Sequence, residues 1–145
     1  MLRARETRLT ADERAALAAT IVASGGMLLI SDDMSLLDAE AGKLFWTVAQ
    51  IAAEIDSNTS REPVLALDLM ATGDIRGMIS ESADGGGTIA MILNRGDAPA
   101  RVHTSDLKLG TGAIIALDLA LDEKIEIFDR IELPPHSARI LRIKR

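Results

Sequence analysis

The chain has 145 residues, 48% hydrophobic and 26% charged, a balance normal for a globular protein, and its length suits one ordinary domain or a piece of one joined to a small second domain. Its formal net charge of −6 disfavours nucleic acid and anionic membrane as partners, since neutralising phosphates dominates such binding. The absence of cysteine excludes disulfides, thiolate metal ligands and a Cys nucleophile, and one Trp, two Phe and no Tyr leave little for a ring-stacking platform.

Residues 1–9 mix Arg and Glu with two leucines, and no stretch of the chain approaches the roughly 18–20 apolar residues of a membrane span. The N-terminus lacks the apolar core of a signal peptide, so the expectation is a cytoplasmic protein. Basic residues at the two ends, Arg3, Arg5 and Arg8, then Arg142, Lys144 and Arg145, read as solvated faces. Thr10-Ala11-Asp12-Glu13 has the form of a capping box, so a helix is expected to about Ala23, stopped by Gly25-Gly26. From Ala15 to Ala23 only Thr20 is polar, and such a helix needs partners on more than one side.

Met27 to Ile30 is a short apolar run between turn signals, the pattern of a strand buried on both faces of a parallel sheet. Ser35 or Asp38 can cap a second helix running to about Ile55, with Leu44, Val48, Ile51 and Ile55 spaced along one face. Trp46 falls off that face and suits an interface or partial core. The turn-forming run Asp56 to Ser60, closed by Pro63, marks a boundary between 1–62 and 63–145.

Beyond it, short strands alternate with turns at about ten-residue intervals, as in an antiparallel sandwich. The expected strands are Val64–Leu69, Met78–Ser82, Thr88–Leu93, Arg101–Leu107, Ala113–Leu119, Lys124–Ile127 and a last one after Pro134-Pro135-His136. Asp84-Gly85-Gly86-Gly87 and Gly110-Thr111-Gly112 supply turns. The fold class expected is α+β: a helix–strand–helix unit, then about seven antiparallel strands. One parallel-type strand requires neighbours on both edges, so the first unit either packs on the sandwich as a layer or lacks the rest of its sheet.

Several side chains invite a chemical reading. Ser31, Asp32 and Asp33 lie just past the buried run, where α/β folds place their chemistry. Neighbours along a strand point to opposite sides, so the two carboxylates do not converge on one atom, and backbone capping competes as an explanation. His103 and His136, the two histidines, have no partner at metal-ligand spacing. Ser137, His136 and Asp129 compose a triad only on paper, without a nucleophile elbow. Asp118, Asp122, Glu123 and Asp129 lack EF-hand spacing, and the triple glycine lacks the strand–loop–helix setting and Lys-Ser/Thr of a phosphate loop. No metal or cofactor is expected.

Several short motifs, in order, resemble the end of melibiase-type α-galactosidases and raffinose-synthase-like glycoside hydrolases. They are Leu9-Thr10 with its alanine-rich helix, Ser24-Gly25-Gly26, and Ser31-Asp32-Asp33. Further on come Ile89-Ala90-Met91-Ile92-Leu93-Asn94-Arg95-Gly96, Leu107-Lys108-Leu109-Gly110, and Pro135-His136-Ser137 with Ile140-Leu141. The resemblance implies that 1–62 is the last helix–strand–helix of a (β/α)8 barrel and that 63–145 is its C-terminal β-sandwich. It implies a retaining parent enzyme whose two catalytic carboxylates lie on earlier strands, so this chain holds no catalytic residue. Ser31, Asp32 and Asp33 would then shape the barrel mouth and touch substrate. The implied partners are the rest of the barrel or a second copy, through the apolar helix–strand segment, and an oligosaccharide. The alternative is a free-standing sandwich that binds a sugar or a protein; a small hydrolase built on Asp32 or Asp33 is the third reading.

Overall fold

The computed structural model describes residues 6–29, 31–57, 64–67, 73–81, 87–107, 114–118, 123–127 and 129–144. Helix α1 spans Ala11–Ala23 and α2 spans Ala39–Asp56, with a 3-10 turn at Met34–Leu36 between them. Among the described residues eight strands follow: β1 (Leu65–Leu67), β2 (Ile75–Glu81), β3 (Gly87–Asn94), β4 (Ala100–His103), β5 (Ile114–Asp118), β6 (Glu123–Ile127), β7 (Arg130–Leu133) and β8 (Ser137–Lys144). A second 3-10 turn, Thr104–Leu107, follows β4, so the expected strand from Arg101 to Leu107 ends early. The short β7 was not foreseen, and the glycine turns at 84–86 and 110–112 lie outside the described residues, as does 58–63 of the boundary loop.

Six strands form one antiparallel sheet in the order β1-β2-β3-β8-β5-β6, and β4 pairs with β7 as a separate ribbon. Strand periodicity divides the sheet's side chains between two apolar layers. Ile89 and Met91 of β3 and Ile140 of β8 face the helices, meeting Ala18, Val22, Val48, Ile51 and Ile55. Ala90 and Ile92 of β3, with Leu141 and Ile143 of β8, face the ribbon, where Val102, Ile131 and Leu133 complete a second core. The helices therefore pack on the sandwich as an outer layer.

This arrangement explains why β3 reads as an unbroken apolar run. All of Gly87–Ile92 is buried, because helices cover one face and the ribbon the other. Each fully buried Ile, Leu or Met side chain contributes about 1.5–3 kcal/mol by leaving water. Helix α1 answers its alanine-rich sequence: Ala16, Ala18, Ala19, Val22 and Ala23 are buried against the sheet and α2, and small side chains let these surfaces approach closely.

Both helix starts follow their capping signals. Glu13 N donates to Thr10 Oγ1 at 3.2 Å while Thr10 N donates to Glu13 Oε2 at 2.7 Å, and Asp38, not Ser35, caps α2 by accepting from Ala41 N at 2.8 Å. Gly25 ends α1 at φ +65°, and a Cβ there would stand 3.2 Å from Val64 Cγ2, so the position favours glycine twice over.

Met27–Ile30 departs from expectation. Met27–Leu29 pairs with no strand among the described residues, and Ile30 lies outside them. Met27 is 78% and Leu29 74% exposed, while Leu28 between them tucks against the helix-side core. The segment is extended with alternating exposure, and among the described residues every β-pairing is antiparallel and lies in the sheet or the ribbon.

Two polar ties lock the layers. The Arg142 guanidinium on β8 makes a two-pronged ion pair with Glu54 on α2, with Nε donating to Oε1 at 3.1 Å. The Asn94 side chain, buried at the end of β3, donates from Nδ2 to the carbonyls of Ala98 (2.8 Å) and Pro134 (2.9 Å). Its Oδ1 accepts from Gly96 N at 3.0 Å, so one amide joins the β3–β4 turn to the β7–β8 turn. Asn94→Ala should cost about 2–3 kcal/mol, because it strands buried backbone groups. A shift of the urea midpoint at unchanged m-value checks this; a loss below about 0.5 kcal/mol would contradict the role.

Candidate functional site

Three places collect chemistry-bearing side chains: the turn after Leu29, the paired turns at Asp97 and His136, and a cleft between the helices. In the first, Ser31 is exposed, Asp32 half-buried and Asp33 exposed. Asp33 Oδ1 accepts from Ser35 N at 2.9 Å and from Ser35 Oγ at 2.7 Å, which starts the 3-10 turn. Asp38 caps α2 two residues beyond that turn, so two of the segment's three carboxylates hold backbone amides. This is the capping chemistry that the spacing of Ser, Asp and Asp favours.

In the second place, His136 Nε2 lies 2.8 Å from Asp97 Oδ1, across the two turns that Asn94 also joins. His136 adopts φ +50°, a left-handed conformation uncommon for a side-chain-bearing residue. Ser137 Oγ donates instead to Pro134 O at 2.8 Å, and Asp129 pairs with Arg130 at 3.1 Å. The paper triad of Ser137, His136 and Asp129 is thereby dissolved. His103 is an exposed residue of β4. Asp118 and Glu123 stand opposite one another in the β5–β6 register, and Asp122 lies outside the described residues. Among the described residues, no three His, Cys, Asp or Glu side chains come close enough to hold a metal ion.

The third place was not legible in the sequence. A cleft of about 280 Å³ opens between α1 and α2, floored by Ala15, Ala19, Leu44, Val48, Ile51 and Ile140. Asp12, Arg14, Glu40 and Lys43 stand around it. It exists because α1 contributes Ala11, Ala15 and Ala19 along one face and these do not fill the space opposite Leu44 and Val48. The only hint in the sequence was that alanine spacing of four.

No protein-family model matches the sequence, and no curated protein matches it. The fold superposes on α-galactosidase I from Mortierella vinacea with a TM-score of 0.76 at 17% identity, covering 99% of this chain and 38% of that one. It superposes on a β-L-arabinopyranosidase from Geobacillus stearothermophilus with a TM-score of 0.74 at 18% identity, covering 97% and 32%. What is shared is the fold. An isomalto-dextranase from Arthrobacter globiformis T6 gives a TM-score of 0.63 at 22% identity, covering 94% of this chain and 24% of that one. The chain thus spans well under half the length of the glycosidases it superposes on. No helix among the described residues is long and apolar enough to cross a membrane.

Two carboxyl groups have shifted acidities. The Thr10 backbone amide and hydroxyl, with a smaller pull from nearby His136, hold Glu13 below its ordinary 4.5. The Arg130 side chain, bonded to Asp129, holds that carboxyl below its ordinary 3.8. A depressed folded-state value means that the unfolded chain binds the proton more readily. The contribution is therefore complete above the ordinary value and lost as pH falls through the lowered one. Melting temperature should fall as pH drops below the ordinary carboxylate range, and Thr10→Ala should both lower it near neutrality and flatten that acid-side fall. An acid limb unchanged by Thr10→Ala would contradict the assignment to Glu13.

Proposed function

We propose that this chain is the closing, non-catalytic portion of an α-galactosidase-like glycoside hydrolase. In this reading 1–62 supplies the last helix–strand–helix of the catalytic barrel and 63–145 the C-terminal β-domain that buttresses it. Ser31, Asp32 and Asp33 sit at the barrel mouth and border bound sugar, and the two carboxylates of a retaining mechanism come from polypeptide beyond this chain. The observation that carries the reading is a mismatch of coverage. Nearly all of this chain superposes on two different glycosidases, yet it accounts for only 38% and 32% of them.

Two features of the molecule support it. Met27 and Leu29 are exposed on either side of the tucked Leu28, the alternation expected of a strand that meets neighbours beyond this chain. Five of the six large apolar side chains exposed among the described residues (Leu17, Met27, Leu29, Met34 and Trp46) belong to the helical layer, where the rest of a barrel would join.

The test is a hybrid enzyme in which these 145 residues replace the matched segment of the Mortierella α-galactosidase. The hybrid should hydrolyse an α-galactoside, the isolated chain should not, and Leu29→Asp should reduce the hybrid's activity at least tenfold by placing a charge in the barrel sheet. Hydrolysis by the isolated chain that disappears in Asp33→Asn would overturn the proposal in favour of an independent hydrolase. Oligosaccharide binding by the isolated chain in calorimetry would favour a free-standing binding module instead.

A further inference from the structure

The six-stranded sheet ends in two edges, β1 and β6, and among the described residues neither is paired on its outer side. An open edge presents backbone N–H and C=O groups to any second strand that fits it, and proteins commonly blunt such edges with charge. The β1 edge, Leu65–Leu67, is three residues long and carries no charge that would select a partner. The β6 edge, Glu123–Ile127, is longer, and its charges form a pattern. Lys124 and Glu126 are both exposed, while Ile125 between them is half-buried and packs with Ile127 on the ribbon-side core.

Within its own sheet this pattern is unanswered. Lys124 stands opposite Leu117 of β5 and Glu126 opposite Ile115, so neither charge meets an opposite one across that strand pair. The two charged residues share one face of β6, roughly 7 Å apart along it. A row of one sign would repel a second copy; a Lys and a Glu two residues apart attract one.

We propose that β6 pairs antiparallel with β6 of a second copy, centred on Ile125, so that one sheet runs through a two-fold dimer. The register follows from the sequence. An antiparallel pair centred on one residue matches that residue with itself and each i−1 neighbour with the other copy's i+1. Centred on Ile125, it sets Lys124 opposite the partner's Glu126 and Glu126 opposite the partner's Lys124. The two Ile125 residues meet at the axis, on the face where each borders its own core, so the apolar layer continues between copies. Centring on Lys124 or on Glu126 instead sets like charges face to face, which destabilises a cross-strand pair. The two-fold operation also closes the assembly at two chains, because each β6 edge is consumed by the other.

The test is sedimentation equilibrium of the full chain over a concentration series reaching about 1 mM, high enough to populate a weak dimer. A monomer–dimer transition is expected, weakened by added salt because the paired charges are exposed. Lys124→Glu and Glu126→Lys each set like charges opposite one another on both sides of the axis. Each is expected to weaken the dimer at least about tenfold. Both positions are exposed, so neither change should disturb the fold. The doubly reversed chain, carrying Lys124→Glu and Glu126→Lys together, exchanges the two signs and should recover the dimer to within about threefold. Slowed amide exchange in β6 should accompany the change in mass. A chain that stays monomeric at about 1 mM overturns the proposal. So does a dimer indifferent to both single reversals, which would assign self-association to the Met27–Leu29 side. A double reversal no tighter than the single ones overturns the register.

Discussion

The β3–β8 pair is the element on which the rest of the molecule depends. Its register runs from Gly87↔Lys144 to Asn94↔Ser137, eight residues in which successive side chains serve two cores in turn. Slipping β8 by one residue against β3 would send Ile140 towards the ribbon, and Leu141 and Ile143 towards the helices. Neither would then match the shape of its cover. Both outer layers, the helices and the β4–β7 ribbon, are held by this one pair of strands, and the stretch of β3 from Ile89 to Leu93 carries no polar residue before Asn94.

The polar ties are placed where the apolar layers end. Asn94 terminates the buried run and uses its amide on the turns that lead to β4 and from β7, while Arg142 reaches from the sheet to α2 through Glu54. Each replaces water with a fixed partner at a rim, where an unpaired buried group would cost more than the bond itself contributes. No buried side-chain nitrogen or oxygen is left without a partner among the described residues. Two of the short motifs singled out in the sequence acquire a physical meaning from this. The Asn after the apolar strand and the Pro-His-Ser before the last strand are two halves of one junction.

What the sequence made legible was whatever depends on local chemistry. The capping box at Thr10, the glycine stop at Gly25, the α2 face through Val48 and Ile51, and most strand positions follow from spacing and turn residues. What stayed hidden depends on partners distant in the chain. Met27–Leu29 and Ile89–Leu93 look alike as apolar runs; one is covered on both faces and the other is largely bare, because coverage is a property of neighbouring elements. The helix-to-sheet pairing of Glu54 with Arg142, 88 residues apart, had no sequence signal. The cleft is likewise a shape left by alanines rather than a motif, and Asp97 gave no sign that it would meet His136.

The sheet order carries a consequence for how the molecule comes to be folded. The strand at its centre, β8, is the last of the eight to leave the ribosome, and it joins β3 to β5. Until it is made, β1-β2-β3 and β5-β6 are separate hairpin-like pieces, and α1 lacks the surface it touches most. Closing those long loops late makes assembly slow and leaves apolar faces open to solvent meanwhile. A nascent chain of this design would gain more from a chaperone that shields the helical layer than from any strengthening of the helices themselves.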